Sequence, residues 1–156
     1  AQSHRRDGIE LTFESGPIGE GVPQTAPIQV RSPEIMQGIG NIIQNAASFA
    51  RREVHIATRW TTEWAEVVVS DDGPGFSEAL LDELGTPFIS TRQGEEGHMG
   101  LGVFIAKTLL ERTGATVTFG NRAGGPDRQL AGASVAVRWP NPVFKATEPP
   151  MSRELP

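Results

Sequence analysis

The stretch from Val67 to Ala115, VVVSDDGPGFSEALLDELGTPFISTRQGEEGHMGLGVFIAKTLLERTGA, limits the folds open to this chain more than any other. A β-branched run, read as a strand, ends in the cluster Asp71-Asp72-Gly73-Pro74-Gly75. A second cluster, Gly97-His98-Met99-Gly100-Leu101-Gly102, leads into a helix that closes at Gly114, a residue suited to a left-handed C-terminal cap. One glycine cluster after a strand is common in α/β proteins. Two of them, the first led by an acid and the pair separated by a long polar segment, ask for more than a turn.

The flanking sequence supplies the layers. Residues 1–7 are polar and read as frayed, whereas GIELTFE (8–14) alternates Ile9, Leu11 and Phe13 as a half-buried strand does. After the turn-rich SGPIGEGVPQTAP and a short extended 28–30, Ser32, Pro33 and Glu34 mark a helix start: a cap residue, a first-turn proline and an acid. That helix is expected to reach about Arg51, with Ile35, Ile39, Ile42, Ile43, Ala46, Phe49 and Ala50 along one apolar stripe. Gln37, Asn41, Asn45 and Ser48 lie away from it. Residues 54–60 and 64–70 read as strands paired antiparallel through Thr61–Glu63, SEALLDEL as a short helix, and ATVTFGN with GASVAVRW as a closing strand pair.

This grouping predicts an α/β (α+β) fold: a two-layer sandwich of a mixed, mostly antiparallel sheet with helices on one face. The other sheet face is left exposed or covered by a partner. A single domain is expected over 1–140, followed by a tail at 141–156; five of the twelve prolines fall from Pro140 onward. No internal repeat is visible.

Composition removes several function classes. The absence of cysteine excludes disulfides, thiolate metal sites and a cysteine nucleophile within the 156 residues. A net charge of −5 argues against nucleic-acid binding through phosphate neutralisation, so any phosphate must be held by local backbone donors or a metal. No apolar run approaches the roughly 20 residues of a membrane helix, Lys107 interrupting the longest, and the N-terminus lacks the apolar segment of a signal peptide. The chain starts without Met and is expected to be a fragment of something longer.

Three groups of residues carry possible chemistry. Asn41 and Asn45, four apart, share one helical face. Asparagine competes with the backbone for hydrogen bonds mid-helix, so the pair reads either as a solvated face or as oxygen donors for a hard cation such as Mg²⁺. The DDGPG cluster reads either as a tight turn or as a strand-end carboxylate, able to accept from an exocyclic amine, with glycines that let a flat ring approach the backbone. The GHMGLG cluster at a helix N-terminus offers backbone N–H groups to phosphate. It does not follow the first strand of a βαβ unit and its spacing is G-x-x-G-x-G, so a dinucleotide fold is not indicated. Positions 76–96 between the clusters, flanked by glycines, read as a lid; the lid region is taken as about 76–99.

In order, Asn-x-x-x-Asn on a helix, strand-DxGxG, TPF, then GxxGLG and a helix resemble the N, G1, F and G2 boxes of sensor histidine kinases, over residues from about 28 to 138. NIIQNAASFA and GLGVFIAKTLLERTGA are similar to the RegB/PrrB branch, the redox-responding bacterial kinases. The resemblance implies the Bergerat-type ATP-binding fold, with ATP and Mg²⁺ as ligands. Asn45 is then the Mg²⁺ ligand and Asn41 assists near the phosphates. Asp71 accepts from the adenine amino group, Gly73 and Gly75 shape that pocket, and Phe88 anchors the lid. Gly97, Gly100, Leu101 and Gly102 line the triphosphate site.

Two positions depart from the pattern. Ser48 stands where relatives often carry Lys or Arg, with Arg51, Arg52 or Arg92 as substitutes, and His98 replaces a usual glycine and reads as a lid residue. The gyrase, chaperone and mismatch-repair ATPases that share the fold typically have Glu at the position of Asn41. An amide is no general base at neutral pH, so hydrolysis is disfavoured and transfer to a histidine is expected. None of His4, His55 and His98 sits in an acceptor motif of the HELRTPL kind. The expected partners are therefore a histidine-bearing dimerisation hairpin elsewhere in the same full-length kinase and a response regulator. The isolated domain is expected to be monomeric and cytoplasmic, within a homodimer anchored in the bacterial inner membrane. The alternatives are a nucleotide-binding regulatory module without transfer activity, and a slow ATPase.

Overall fold

A computed structural model describes residues 8–27, 32–84, 102–122 and 132–144 in full, and the backbone of residues 2–6 and 97–101. Among the described residues nine elements follow one another: β1 (Gln2–Arg6), β2 (Ile9–Pro17), α1 (Pro33–Phe49), β3 (Glu53–Trp60), β4 (Trp64–Asp71), α2 (Glu78–Leu84), α3 (Gly97–Arg112), β5 (Thr116–Asn121) and β6 (Ala133–Pro140). The strands form one sheet in the order β1-β2-β3-β4-β6-β5. Among the described strands β2 and β3 pair in parallel and the other four pairings are antiparallel. A parallel pair cannot be closed by a tight turn, and α1 lies in the connection between these two strands.

Period-two burial sorts the sheet into two faces. Along β4, Ala65, Val67, Val69 and Asp71 are buried while Trp64, Glu66, Val68 and Ser70 are partly open; β6 alternates likewise, burying Ala133, Val135, Val137 and Trp139. Onto the buried face pack Ile35, Ile42 and Ala46 of α1, Leu80 and Leu84 of α2, and Val103, Ala106 and Leu110 of α3. This is the sandwich that the sequence pattern predicts. The opposite face is polar and carries surface ion pairs, Glu14 with Arg59 at 3.1 Å and Glu66 with Arg138 at 2.9 Å.

The two main helices meet at Gly38, where a Cβ would come within 2.7 Å of Leu110 Cγ. The contact sets the N-terminal third of α1 against the C-terminal third of α3. Lys107, which breaks the apolar run of α3, donates from Nζ to the Leu84 carbonyl at 3.0 Å and so ties α3 to the end of α2.

Several sequence expectations are corrected. Residues 2–6 form an edge strand on β2 rather than a frayed end, because β2 would otherwise present unpaired backbone groups there. The helix α1 stops at Phe49, and Ala50 is already extended at φ −60°, ψ 145°. Asp72 draws the N–H groups of Arg51, Arg52 and Glu53 to its carboxylate, which turns the chain toward β3 before Arg51 can join the helix. Phe49 is 37% exposed and so leaves the apolar stripe to its neighbours. The helix α3 begins at Gly97, so the second glycine cluster occupies its first turns rather than a loop before it. The first four helical N–H groups have no intrahelical partner in either arrangement. Phe144, in the proline-bearing tail, packs beside a small cluster of Val22, Trp60 and Ala65.

Candidate functional site

Asp71 is the last buried position of β4, placed on the helix side by strand alternation, with 4% of its surface exposed. Burial pushes its carboxyl above the usual range, and hydrogen bonds from the Gly73 and Ala133 N–H groups only partly oppose this. Both donors reach Oδ1, at 2.8 and 3.4 Å. Among the described residues no donor meets Oδ2. An acceptor oxygen fixed on one side and free on the other is what recognition of an amine requires.

The glycines around Asp71 are there for close approach. A Cβ on Gly73 would lie 2.3 Å from the Phe49 carbonyl oxygen, so the DGPG turn is pressed against the C-terminal end of α1. Gly75 adopts φ +81°, a left-handed conformation that glycine accepts at no steric cost. Gly132 was read only as the first residue of the closing strand, yet a Cβ on it would fall 1.8 Å from the Asp71 carbonyl oxygen. Its closeness lets β6 run tight against the end of β4.

Because α1 ends at this turn, Asn45 stands one helical turn, about 6 Å along the axis, from the Phe49 contact, and Asn41 one turn farther. Both are partly exposed, and among the described residues neither side-chain amide makes a hydrogen bond. Their carbonyl oxygens are therefore available, and that donor chemistry fits Mg²⁺. Ser48 is turned back on its own helix, its Oγ donating to the Gln44 carbonyl at 3.0 Å. Arg51 and Arg52 are exposed just beyond the helix end.

Among the described residues a Cβ built on Gly102 in α3 would meet nothing, and Gly97, Gly100 and Leu101 form the helical backbone before it. Phe88 and Arg92 lie outside the described residues. Asp71, Gly73 and Gly75 thus share one turn, and Asn41 and Asn45 share the helix that abuts it.

Sequence reasoning missed Asp72 and Asn121. The first binds three backbone N–H groups of the α1–β3 connection, and the second binds Phe76 through both ends of its amide. The sequence signal for each was an Asp or Asn at a strand end, where such side chains commonly capture backbone groups. A cleft of about 320 Å³ lined by Glu53, His55, Ser70, Asp72 and Arg122 opens on the other sheet face and includes neither asparagine nor Asp71. His55 on that face is engaged by Thr12 Oγ1 at 2.8 Å and by Glu14 at 3.4 Å.

Known proteins resemble this chain in sequence and in fold. The sensor histidine kinase RegB of Cereibacter sphaeroides is 39% identical over 155 residues, covering 90% of this chain and 33% of the relative. The tetrathionate sensor histidine kinase TtrS of Salmonella typhimurium is 32% identical over 117 residues, 74% of this chain and 19% of that protein. The chain therefore spans a third or less of the length of these relatives. Among solved structures, full-length ShkA in complex with AMPPNP superposes with a TM-score of 0.62 at 20% identity, over 89% of this chain and 27% of that one. The mycobacterial sensor histidine kinase MprB gives 0.55 at 19% identity, over 86% of each chain. At such identities the likeness establishes the fold. The family model for histidine kinase-, DNA gyrase B- and HSP90-like ATPases matches residues 31–143, from the start of α1 past the end of β6, and this chain belongs to that family.

Proposed function

We propose that this chain is the ATP-binding catalytic domain of a two-component sensor histidine kinase, which holds Mg-ATP and presents its γ-phosphate to a histidine on a separate dimerisation hairpin. The observation that carries the reading is the buried Asp71, with Oδ1 fixed by backbone donors and Oδ2 without a donor among the described residues, one helix end away from two asparagine amides that make no hydrogen bond among those residues. In this reading Asp71 accepts from the adenine amino group, with Gly73 and Gly75 beside the ring. Asn45 would hold Mg²⁺ and Asn41 would lie near the phosphates. The ion, when bound, neutralises phosphate charge. In the same reading the first-turn N–H groups of α3, those of Gly97 and Gly100 among them, face the triphosphate, and Leu101 and Gly102 line that site from the next turn. Phe88 anchors a lid over about 76–99.

Transfer rather than hydrolysis is favoured because position 41 carries an amide, which cannot take a proton from water at neutral pH. In the transfer, an imidazole nitrogen forms a bond to the γ-phosphorus while the bond to the β–γ bridging oxygen breaks, leaving ADP. The phosphoryl group then passes to a response regulator. His55, held by Thr12 and Glu14 on the far sheet face, is poorly placed to be the acceptor. The likeness to RegB supports a sensor histidine kinase of that branch. The proposal extends this to a redox-responding, homodimeric full-length protein anchored in the inner membrane, with this domain in the cytoplasm. Among the described residues no helix is long and apolar enough to cross a membrane.

A second reading, a nucleotide-binding regulatory module without transfer activity, is favoured by Ser48, which brings no positive charge. The first experiment is a calorimetric titration with ATP, with and without Mg²⁺, repeated on Asn45→Ala. Metal-strengthened binding that Asn45→Ala removes, in a domain that still melts cooperatively, is expected; unchanged binding by that variant refutes the metal assignment. A histidine-bearing hairpin supplied in trans then separates the readings, since phosphohistidine forms only with an active kinase.

A further inference from the structure

The turn from Asp71 to Phe76 is held at both ends by two residues that face each other across β5 and β6. Asn121 and Ala133 are register partners at the end of that strand pair. The Ala133 N–H reaches Asp71 Oδ1 at the start of the turn. At its end, the Phe76 N–H donates to Asn121 Oδ1 at 2.7 Å, and Asn121 Nδ2 donates to the Phe76 carbonyl at 2.8 Å. The side-chain amide thus gives Phe76 both bonds that a neighbouring strand residue would give. The fit is close: a Cβ on Gly75 would lie 2.8 Å from Asn121 Oδ1. The Phe76 ring, 5% exposed, meets Phe119 of β5 edge-on at 6.0 Å between centroids, so backbone and ring are fixed to the same strand.

We infer that Asn121 is a positioning residue for base recognition: by pinning Phe76 it fixes the far end of the turn that carries Asp71, Gly73 and Gly75, and so sets where an adenine ring can rest. The inference rests on the ATP reading above. A side chain that only stabilised the fold would lower the melting temperature without changing the preference between bases. A residue that positions the turn changes that preference, because the turn presents the acceptor that distinguishes an amino group from a carbonyl.

The test uses Asn121→Asp and Asn121→Ala, titrated with ATP and with GTP well below their melting temperatures. Asn121→Asp keeps the shape and the acceptor but sets an oxygen against the Phe76 carbonyl. Losing oriented hydrogen bonds of this kind is expected to weaken ATP binding on the order of tenfold, with GTP affinity little changed, so the ratio of the two narrows. An unaltered ratio in folded variants, with the unsubstituted chain preferring ATP, overturns the inference alone. Failure of the unsubstituted chain to bind ATP overturns the underlying reading as well. If neither variant folds, the unsubstituted chain decides by nuclear magnetic resonance. ADP is expected to shift the Asn121 side-chain NH₂ and the Phe76 N–H, and tripolyphosphate to leave them in place. No shift with ADP overturns the inference.

Discussion

Asp71 and Asp72 are neighbours with opposite electrostatic histories. At Asp72 burial works to raise the carboxyl, but N–H donors from Arg52, Glu53 and Arg51 outweigh it, and the group ends below its ordinary value. Its contribution to stability is therefore present above the unfolded value near 3.8 and is lost as pH falls through the lower folded value. Asp71 is shifted the other way. Its contribution is present below the unfolded value and is lost as pH rises through the folded one, so burial of this carboxyl costs stability at neutral pH. Asp71→Asn keeps an oxygen for Gly73 and Ala133 and removes the charge. Urea unfolding should show this variant more stable than the parent at pH 7, with the advantage vanishing below about pH 4. Its preference for ATP over GTP should nevertheless fall, since an amide is partly a donor. Asp72→Ala should cost about 1–2 kcal/mol in the same measurement at pH 7, by leaving N–H groups of residues 51–53 without their acceptor. Asp71 was legible in the sequence because it ends a β-branched strand. Asp72 was legible only as an acid at a strand end, because the backbone groups it binds lie some twenty residues away.

At the scale of elements, the apolar stripe of α1 and the alternation of β3, β4 and β6 were legible because burial follows the helical and strand periods directly. What escaped was set by neighbours. The strand at residues 2–6 depends on the free edge of β2, and the early stop of α1 depends on Asp72. The glycine at the helix crossing also escaped. Gly38 reads as a weak point in α1, yet its missing side chain is what admits Leu110, which is fully buried. Gly38→Ala gains up to about 1 kcal/mol of helix propensity. Against this, a Cβ at 2.7 Å from a branch carbon that cannot move aside costs about 1–3 kcal/mol of overpacking. Net destabilisation of about 1 kcal/mol is expected from denaturant unfolding. Combined with Leu110→Ala, the same change should cost less than the sum of the two, because each relieves the misfit of the other.

For the whole molecule, the layers and the helix-covered face were legible, and so was the order of the asparagine pair and the two glycine clusters. The clamp made by Asn121, Gly132 and Ala133 was not, since it closes only when β5 and β6 reach the end of β4. The sheet also has a second end. All three tryptophans lie there: Trp60 and Trp139 both neighbour Ala65 by register, and Trp64 opens β4, whereas Asp71 closes it. Asp71 lies seven residue steps along the strand from Trp64, about 23 Å at the usual rise. With no tyrosine in the chain, its intrinsic emission comes almost wholly from these indoles. Trp60 and Trp139 are 2% and 1% exposed, so unfolding should shift the emission strongly to the red. A nucleotide docked at the Asp71 end should leave the spectrum unchanged at saturation, giving an optical readout of folding that stays blind to occupancy of the site.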